Sequence, residues 1–140
     1  MTEHFSLEEL THTDHRTLDN TPNDQEKANL QRLAEFLEQV KSALGGKPLM
    51  VNSAFRSKAV NDAVGSKDTS QHRLGCAADI RVPGMTPDAV VRAVLAANLP
   101  FDQIIREFDA WTHISVPNSA ALKPRRQALI IDRSGTRAFS

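Results

Sequence analysis

Histidine and carboxylate side chains supply most of the metal-ligating and acid–base capacity of this chain, and their placement is uneven. Of the five histidines, His4, His12 and His15 lie in a polar N-terminal arm, where solvated side chains are the default. His72 ends a run of turn formers, Gly65-Ser66-Lys67-Asp68-Thr69-Ser70-Gln71, and Asp79 follows seven residues later on a segment of strand character. His113 sits in Trp111-Thr112-His113-Ile114-Ser115, where strand alternation puts Trp111, His113 and Ser115 on one face. A loop and two strands can therefore aim two imidazoles and a carboxylate at one point. Such a set fills three positions of a tetrahedral zinc and leaves the fourth to water, the catalytic rather than the structural arrangement. Cys76 is the only cysteine, so no internal disulfide and no thiolate zinc finger can form.

Spacing alone does not separate a metal centre from unrelated side chains, so the elements that would position these residues matter. Thr21 can cap a helix with Pro22 at its first position. From there Leu30, Leu33, Ala34, Leu37, Val40 and Leu44 recur at three and four residues, an apolar stripe stopped by Gly45-Gly46. That spacing predicts a core helix of about six turns. Pro48 to Ala54 reads as a strand, Lys58 to Val64 as a short helix ended by Gly65, and Ala77 to Val82 as a second strand closed by Pro83-Gly84. Thr86-Pro87-Asp88 repeats the cap-then-proline start, and Val90, Val91, Val94 and Leu95 predict a second amphipathic helix ending near Asn98. Gln103 to Phe108 and Trp111 to Val116 read as strands, and a last hairpin turns at Arg133-Ser134-Gly135 with Ala128 to Ile131 as its first arm. The order predicts an α+β fold, with helices packed on one face of a mainly antiparallel sheet.

Composition narrows the class. A chain of 140 residues suits one domain, residues 1–140, that buries about 70% of its unfolded surface. With 40% apolar and 24% charged residues, it lies outside the range of disordered chains. Lys+Arg and Asp+Glu are balanced at 17 each, which argues against a nucleic-acid partner. The opening MTEHFSLEELTHTDH has no apolar core, and the most apolar later stretch is broken by Arg92 and Asn98. No signal peptide and no membrane span are expected, and so a product that is cytoplasmic as synthesised. Six Phe, one Trp and no Tyr leave little for an aromatic platform that stacks sugars.

The string Ser70-Gln71-His72-Arg73-Leu74-Gly75-Cys76-Ala77-Ala78-Asp79 matches SxHxxGxAxD at every fixed position. That signature marks the zinc D-alanyl-D-alanine peptidases. Trp111-Thr112-His113 resembles their W-x-H, which supplies the third ligand, and Ser53-Ala54-Phe55-Arg56-Ser57 resembles the S-x-[YF]-R-S segment. From about Phe5 to the C-terminal hairpin the chain resembles the zinc D-alanyl-D-alanine carboxypeptidase and L-alanyl-D-glutamate endopeptidase family, in its short, phage-endolysin-like branch. The resemblance implies a hedgehog/DD-peptidase-like fold, and one zinc per chain on His72, Asp79 and His113. It implies hydrolysis of peptidoglycan stem peptides by a monomer that acts on the cell wall, reached through a phage-encoded membrane lesion. Arg56 would then hold a substrate carboxylate or carbonyl oxygen. Ser70 is either a substrate contact or a turn residue, Gly75 serves the backbone between ligands, and Cys76 is a small buried hydrophobe. Carboxypeptidase and endopeptidase activities share these ligands, so the bond cleaved stays open.

A carboxylate must take a proton from water and pass it to the leaving amine. The family often has glutamate three residues before its last histidine, where this chain has Ala110, so the candidates are Glu107 and Asp109. Along one unbroken strand Glu107 would lie about 20 Å from His113. A hairpin with Asp109-Ala110-Trp111 as loop would instead pair Phe108 with Thr112 and Glu107 with His113, which favours Glu107 as base. A two-residue Asp109-Ala110 loop would pair Arg106 with His113 and turn Glu107 away. Ala110 in place of the usual acid also leaves room for a non-catalytic zinc-binding structural or recognition domain. An accidental motif match in a metal-free structural domain is the third alternative.

Overall fold

In the computed structural model, which describes residues 1–140, the apolar stripe lies on a long helix. Its residues Leu30, Leu33, Ala34, Leu37, Val40 and Leu44 all belong to one core cluster of 23 residues. A fully buried Leu or Val contributes about 1.5–3 kcal/mol relative to an exposed one, whereas helix propensities differ by less than about 1 kcal/mol per residue. Burial of the stripe therefore dictates the helix.

That helix begins later than Thr21-Pro22 suggests. Leu7–Leu10 form α1, and the long helix α2 spans Asp24–Ala43 with Asn23 as its N-cap. The Asn23 side chain accepts from the Glu26 backbone N–H at 2.8 Å, and the Glu26 carboxylate accepts from the Asn23 backbone N–H at 2.8 Å. Two otherwise orphaned donors are satisfied reciprocally. Thr21 instead donates its hydroxyl to Asp19 at 2.6 Å. The N-terminal arm is anchored rather than wholly solvated, because Phe5 and Leu10 are buried in the core.

The remaining elements follow as β1 Met50–Ser53, α3 Lys58–Ala63, a 3-10 turn Gln71–Leu74, β2 Ala77–Arg81, α4 Pro87–Ala96, β3 Gln103–Glu107, β4 Trp111–Ser115, β5 Gln127–Asp132 and β6 Gly135–Ala138. Thr86 caps α4 with Pro87 at its start, and Val90, Val91 and Val94 are buried. Leu95, expected on the same stripe, is 38% exposed. It lies beyond the edge of the buried face.

The sheet order is β1-β2-β4-β3-β5-β6. Every pair is antiparallel except β3 with β5. The α+β class with a mainly antiparallel sheet holds, and the parallel β3–β5 pair is the addition. Ala78, Ile114 and Ile104 share one rung and pack into the core with α2 and α4. The next rung, Asp79, His113, Ile105 and Leu129, points the other way by strand alternation. One face of the sheet thus carries the helices, and the other carries Asp79 and His113. No helix is long and apolar enough to cross a membrane.

Candidate metal centre and its cleft

Asp79 on β2 and His113 on β4 are direct antiparallel partners, so the ladder itself brings them together. His72 reaches them from the 3-10 turn rather than from an open loop. Three contacts dock that turn on α2: Asn29 donates to the Leu74 carbonyl at 2.9 Å, Arg73 pairs with Glu26 at 2.9 Å, and Gly75 lies against the Glu26 carbonyl and Leu30. Gly75 has φ of +79°, and a Cβ there would sit 2.9 Å from the Glu26 oxygen. The motif glycine is required by both backbone conformation and close approach.

Ser70 caps the turn, its Oγ accepting from the His72 backbone N–H at 3.3 Å. Arg56 donates its backbone N–H to the His72 carbonyl at 3.0 Å, which ties the S-x-F-R-S segment to the ligand turn. The Arg56 side chain donates from Nε to Ser53 and lies 3.3 Å from Asp79 Oδ2 through Nη2.

The ligand atoms of His72, Asp79 and His113 all lie within 4.8 Å of one another. His72 Nε2 and His113 Nδ1 approach Asp79 Oδ1 at 3.3 and 3.1 Å. Ligands of a tetrahedral zinc, each about 2.0–2.1 Å from the ion, are about 3.3 Å apart. His72 Nδ1 is 2.7 Å from the Ala54 carbonyl oxygen, which can only accept, so the ring proton sits on Nδ1. Neutral His72 therefore presents a bare Nε2 lone pair to a carboxylate oxygen, two acceptors facing each other. Such an arrangement needs a cation or a shared proton, and the donor set fits zinc.

The electrostatics agree with that arrangement. Burial holds the His72 imidazole below the ordinary histidine pKa, against the opposing pull of Asp79. Burial alone would raise the Asp79 carboxyl, but its close contacts with the His72 and His113 rings outweigh it and hold the group well below the usual carboxylate range. At neutral pH the site offers an ionised carboxylate and an unprotonated imidazole, the forms that bind metal.

The β3–β4 hairpin has neither register expected from the sequence. Glu107 pairs with Trp111, Arg106 with Thr112 and Ile105 with His113. The loop is Phe108-Asp109-Ala110, with Phe108 and Asp109 at φ of +53° and +52° and the Ala110 N–H donating to the Glu107 carbonyl at 3.0 Å. Two consecutive left-handed residues make this turn, a task usually given to Asn or Gly. Phe108 is held there by its N–H, which donates to the Ile131 carbonyl at 2.8 Å. Glu107 is thus diagonal to His113 on the same face, about 7 Å away between Cβ atoms. Trp111 returns to the alternating face with His113.

Burial, then the Asp79 charge, pushes the Glu107 pKa up. Asp109 points elsewhere: it pairs with Arg106 at 2.6 Å, and Arg106 also reaches Asp88 of α4 on the helix-bearing side. Glu107, Arg56, Ser70 and the three candidate ligands line one cleft of about 600 Å³, and Asp109 does not. His4 pairs with Glu38 and His12 with Asp14 at the surface, and none of the three arm histidines joins the cluster.

A family model described as Peptidase M15 matches residues 3–115. The chain belongs to the peptidase M15 family. The match contains all three candidate ligands and Glu107, and it ends at Ser115, so the C-terminal hairpin expected to share the resemblance falls outside it. None of the curated proteins compared with this chain matches it.

Within this M15 chain the sequence pattern did not reveal a polar network behind the ligand turn. Gln71 Nε2, next to His72, shares its two hydrogens among Asp102 at 3.0 Å, the Val116 carbonyl at 3.1 Å and Asn118 at 2.8 Å. Asp102 also accepts from the Arg125 backbone N–H at 2.9 Å and from its Nε and Nη2 at 3.0 and 2.7 Å. Burial opposes ionisation of Asp102, yet its hydrogen bonds with Arg125 hold the pKa below the usual value. These partners lie 23 to 47 positions apart in the chain. Gln71 stands at a variable position of the motif, so no member of the network carried a local signal.

Proposed function

We propose that this M15 chain is a zinc-dependent peptidase, one domain acting as a monomer with one zinc per chain, that hydrolyses peptide bonds in peptidoglycan stem peptides. His72, Asp79 and His113 are its ligands. The observation that carries the proposal is the shared rung of Asp79 and His113 beneath the bare Nε2 of His72, with Glu107 diagonal on the same face. Zinc bound there supplies Lewis acidity for the scissile carbonyl and lowers the pKa of a water to about 7.

Glu107 takes the proton as the water oxygen bonds to the carbonyl carbon, then returns it to the amide nitrogen as the C–N bond breaks. Its raised pKa brings it closer to the neutral range in which both transfers are balanced. Arg56 keeps its Nη1 free of protein acceptors and donates it to a substrate carboxylate or carbonyl oxygen. Ser70 accepts from the His72 N–H and retains its hydroxyl proton for the peptide. Asp109, engaged by Arg106, takes no part in this scheme.

Carboxypeptidase and endopeptidase action differ in whether the cleft accepts chain beyond the scissile bond. The cleft, about 600 Å³ and bounded by residues of β2, β3, β4, β5, the 3-10 turn and the neighbouring loops, has room for several peptide residues, which favours an endolysin-like endopeptidase. Mass spectrometry of purified peptidoglycan digested by the zinc-loaded protein tests the proposal. Release of peptides cut within the stem is expected, and an unchanged digest overturns it.

A further inference from the structure

We infer that Arg125 forms a carboxylate-recognition site at the end of the cleft remote from Glu107. It would select stem peptides by a free carboxylate a few residues from the bond cut. The inference rests on the proposed peptidase function and names a specificity residue that lies beyond the stretch matched by the family model.

Gln103 and Glu107, the two ends of β3, both line the cleft. The metal rung, through Ile105, lies midway between them, about 6.6 Å from each at the usual strand rise. Asp102 immediately precedes Gln103 and anchors Arg125 there. The Asp102 side chain is 5% exposed and that of Arg125 56%. The guanidinium is therefore clamped along one edge and open along the other.

A guanidinium carries five N–H donors in a rigid fork. Here Nε and Nη2 serve Asp102, Nη2 also lies 3.5 Å from Gln71 Oε1, and Nη1 has no protein acceptor. A fork held in place before substrate arrives loses little freedom on binding, and its free Nη1, beside an Nη2 engaged with Gln71 only at 3.5 Å, can donate to a carboxylate. Asp102 offsets the Arg125 charge, while Lys67, exposed and making no ion pair, adds a second cation to the lining of the same cleft. Mere strapping of the 117–126 segment would need only the edge that faces Asp102. Peptidoglycan stems carry free carboxylates along the peptide, and a span of about 7–10 Å from the metal rung is two to three residues of extended chain.

Matched stem peptides, with each free carboxylate either retained or amidated, are assayed with zinc-loaded wild type and Arg125→Gln. For one carboxylate the wild type prefers the acid by roughly tenfold to a hundredfold in kcat/KM, mainly through KM, the scale of a charge-assisted pair. Arg125→Gln brings that ratio near one, and Arg125→Lys restores part of it. A wild type that cleaves every acid and its amide equally overturns the inference while leaving the peptidase function standing. A ratio that survives in folded Arg125→Gln also overturns it. A wild type that cleaves none of the peptides overturns the proposed function and this site with it.

Discussion

His72 donates from Nδ1 to the Ala54 carbonyl across 2.7 Å, and this bond decides which nitrogen faces Asp79. Ala54 precedes Phe55-Arg56, so the segment that presents Arg56 to the cleft also orients the His72 ring. Removing the 54–57 segment from its place would therefore disturb two side chains of the candidate site at once.

Burial lowers the folded-state pKa of His72 from 6.5, so the unfolded chain takes up that proton first as pH falls. The contribution to stability is full above about pH 6.5 and is lost progressively until the folded pKa is reached. Asp79, lowered from 3.8, adds a second loss at more acid pH. Thermal denaturation of chelator-treated protein between about pH 7.5 and 5 should show a falling Tm that is flatter in His72→Gln. Equal slopes in the two proteins would contradict the assignment.

Gly75→Ala and Gly45→Ala place a Cβ at nearly the same left-handed φ, +79° and +74°, yet only Gly75 meets backbone, the Glu26 oxygen at 2.9 Å. Gly45→Ala should cost about 1 kcal/mol from conformation alone. Gly75→Ala should cost at least about 2 kcal/mol, because the clash adds to the same strain. Chemical denaturation of both variants measures the difference, and equal costs would show that the 3-10 turn is not pressed on α2.

Asn23→Ala removes one half of the capping box and should destabilise the protein by about 1 kcal/mol. Thr21→Ala, whose hydroxyl meets only Asp19, should change stability by less than about 0.5 kcal/mol. The reverse order in denaturant midpoints would place the start of α2 at Thr21 after all.

The candidate trio was legible because His72 and Asp79 sit in one short string and because Trp111-Thr112-His113-Ile114-Ser115 reads as a strand, and the structure brings the three side chains together. The α2 stripe was legible for the same reason: burial imposes a period that survives in sequence. The hairpin register was not, since Phe108 occupies a left-handed conformation that nothing in its side chain announces and that the Ile131 carbonyl helps to enforce. The start of α2 was misplaced because Thr21-Pro22 is as good a local signal as Asn23, and only the reciprocal Glu26 contact separates them. The parallel β3–β5 pair and the Gln71–Asp102–Arg125 network depend on partners far apart in the chain, where no periodicity points.

Zinc content and release of new amino termini from purified peptidoglycan, measured together on wild type and Glu107→Gln, test the central claim most directly. Both proteins should hold about one zinc per chain, while the variant should lose at least about a hundredfold in hydrolysis. A fully zinc-loaded Glu107→Gln that cuts the wall at the wild-type rate would contradict the account.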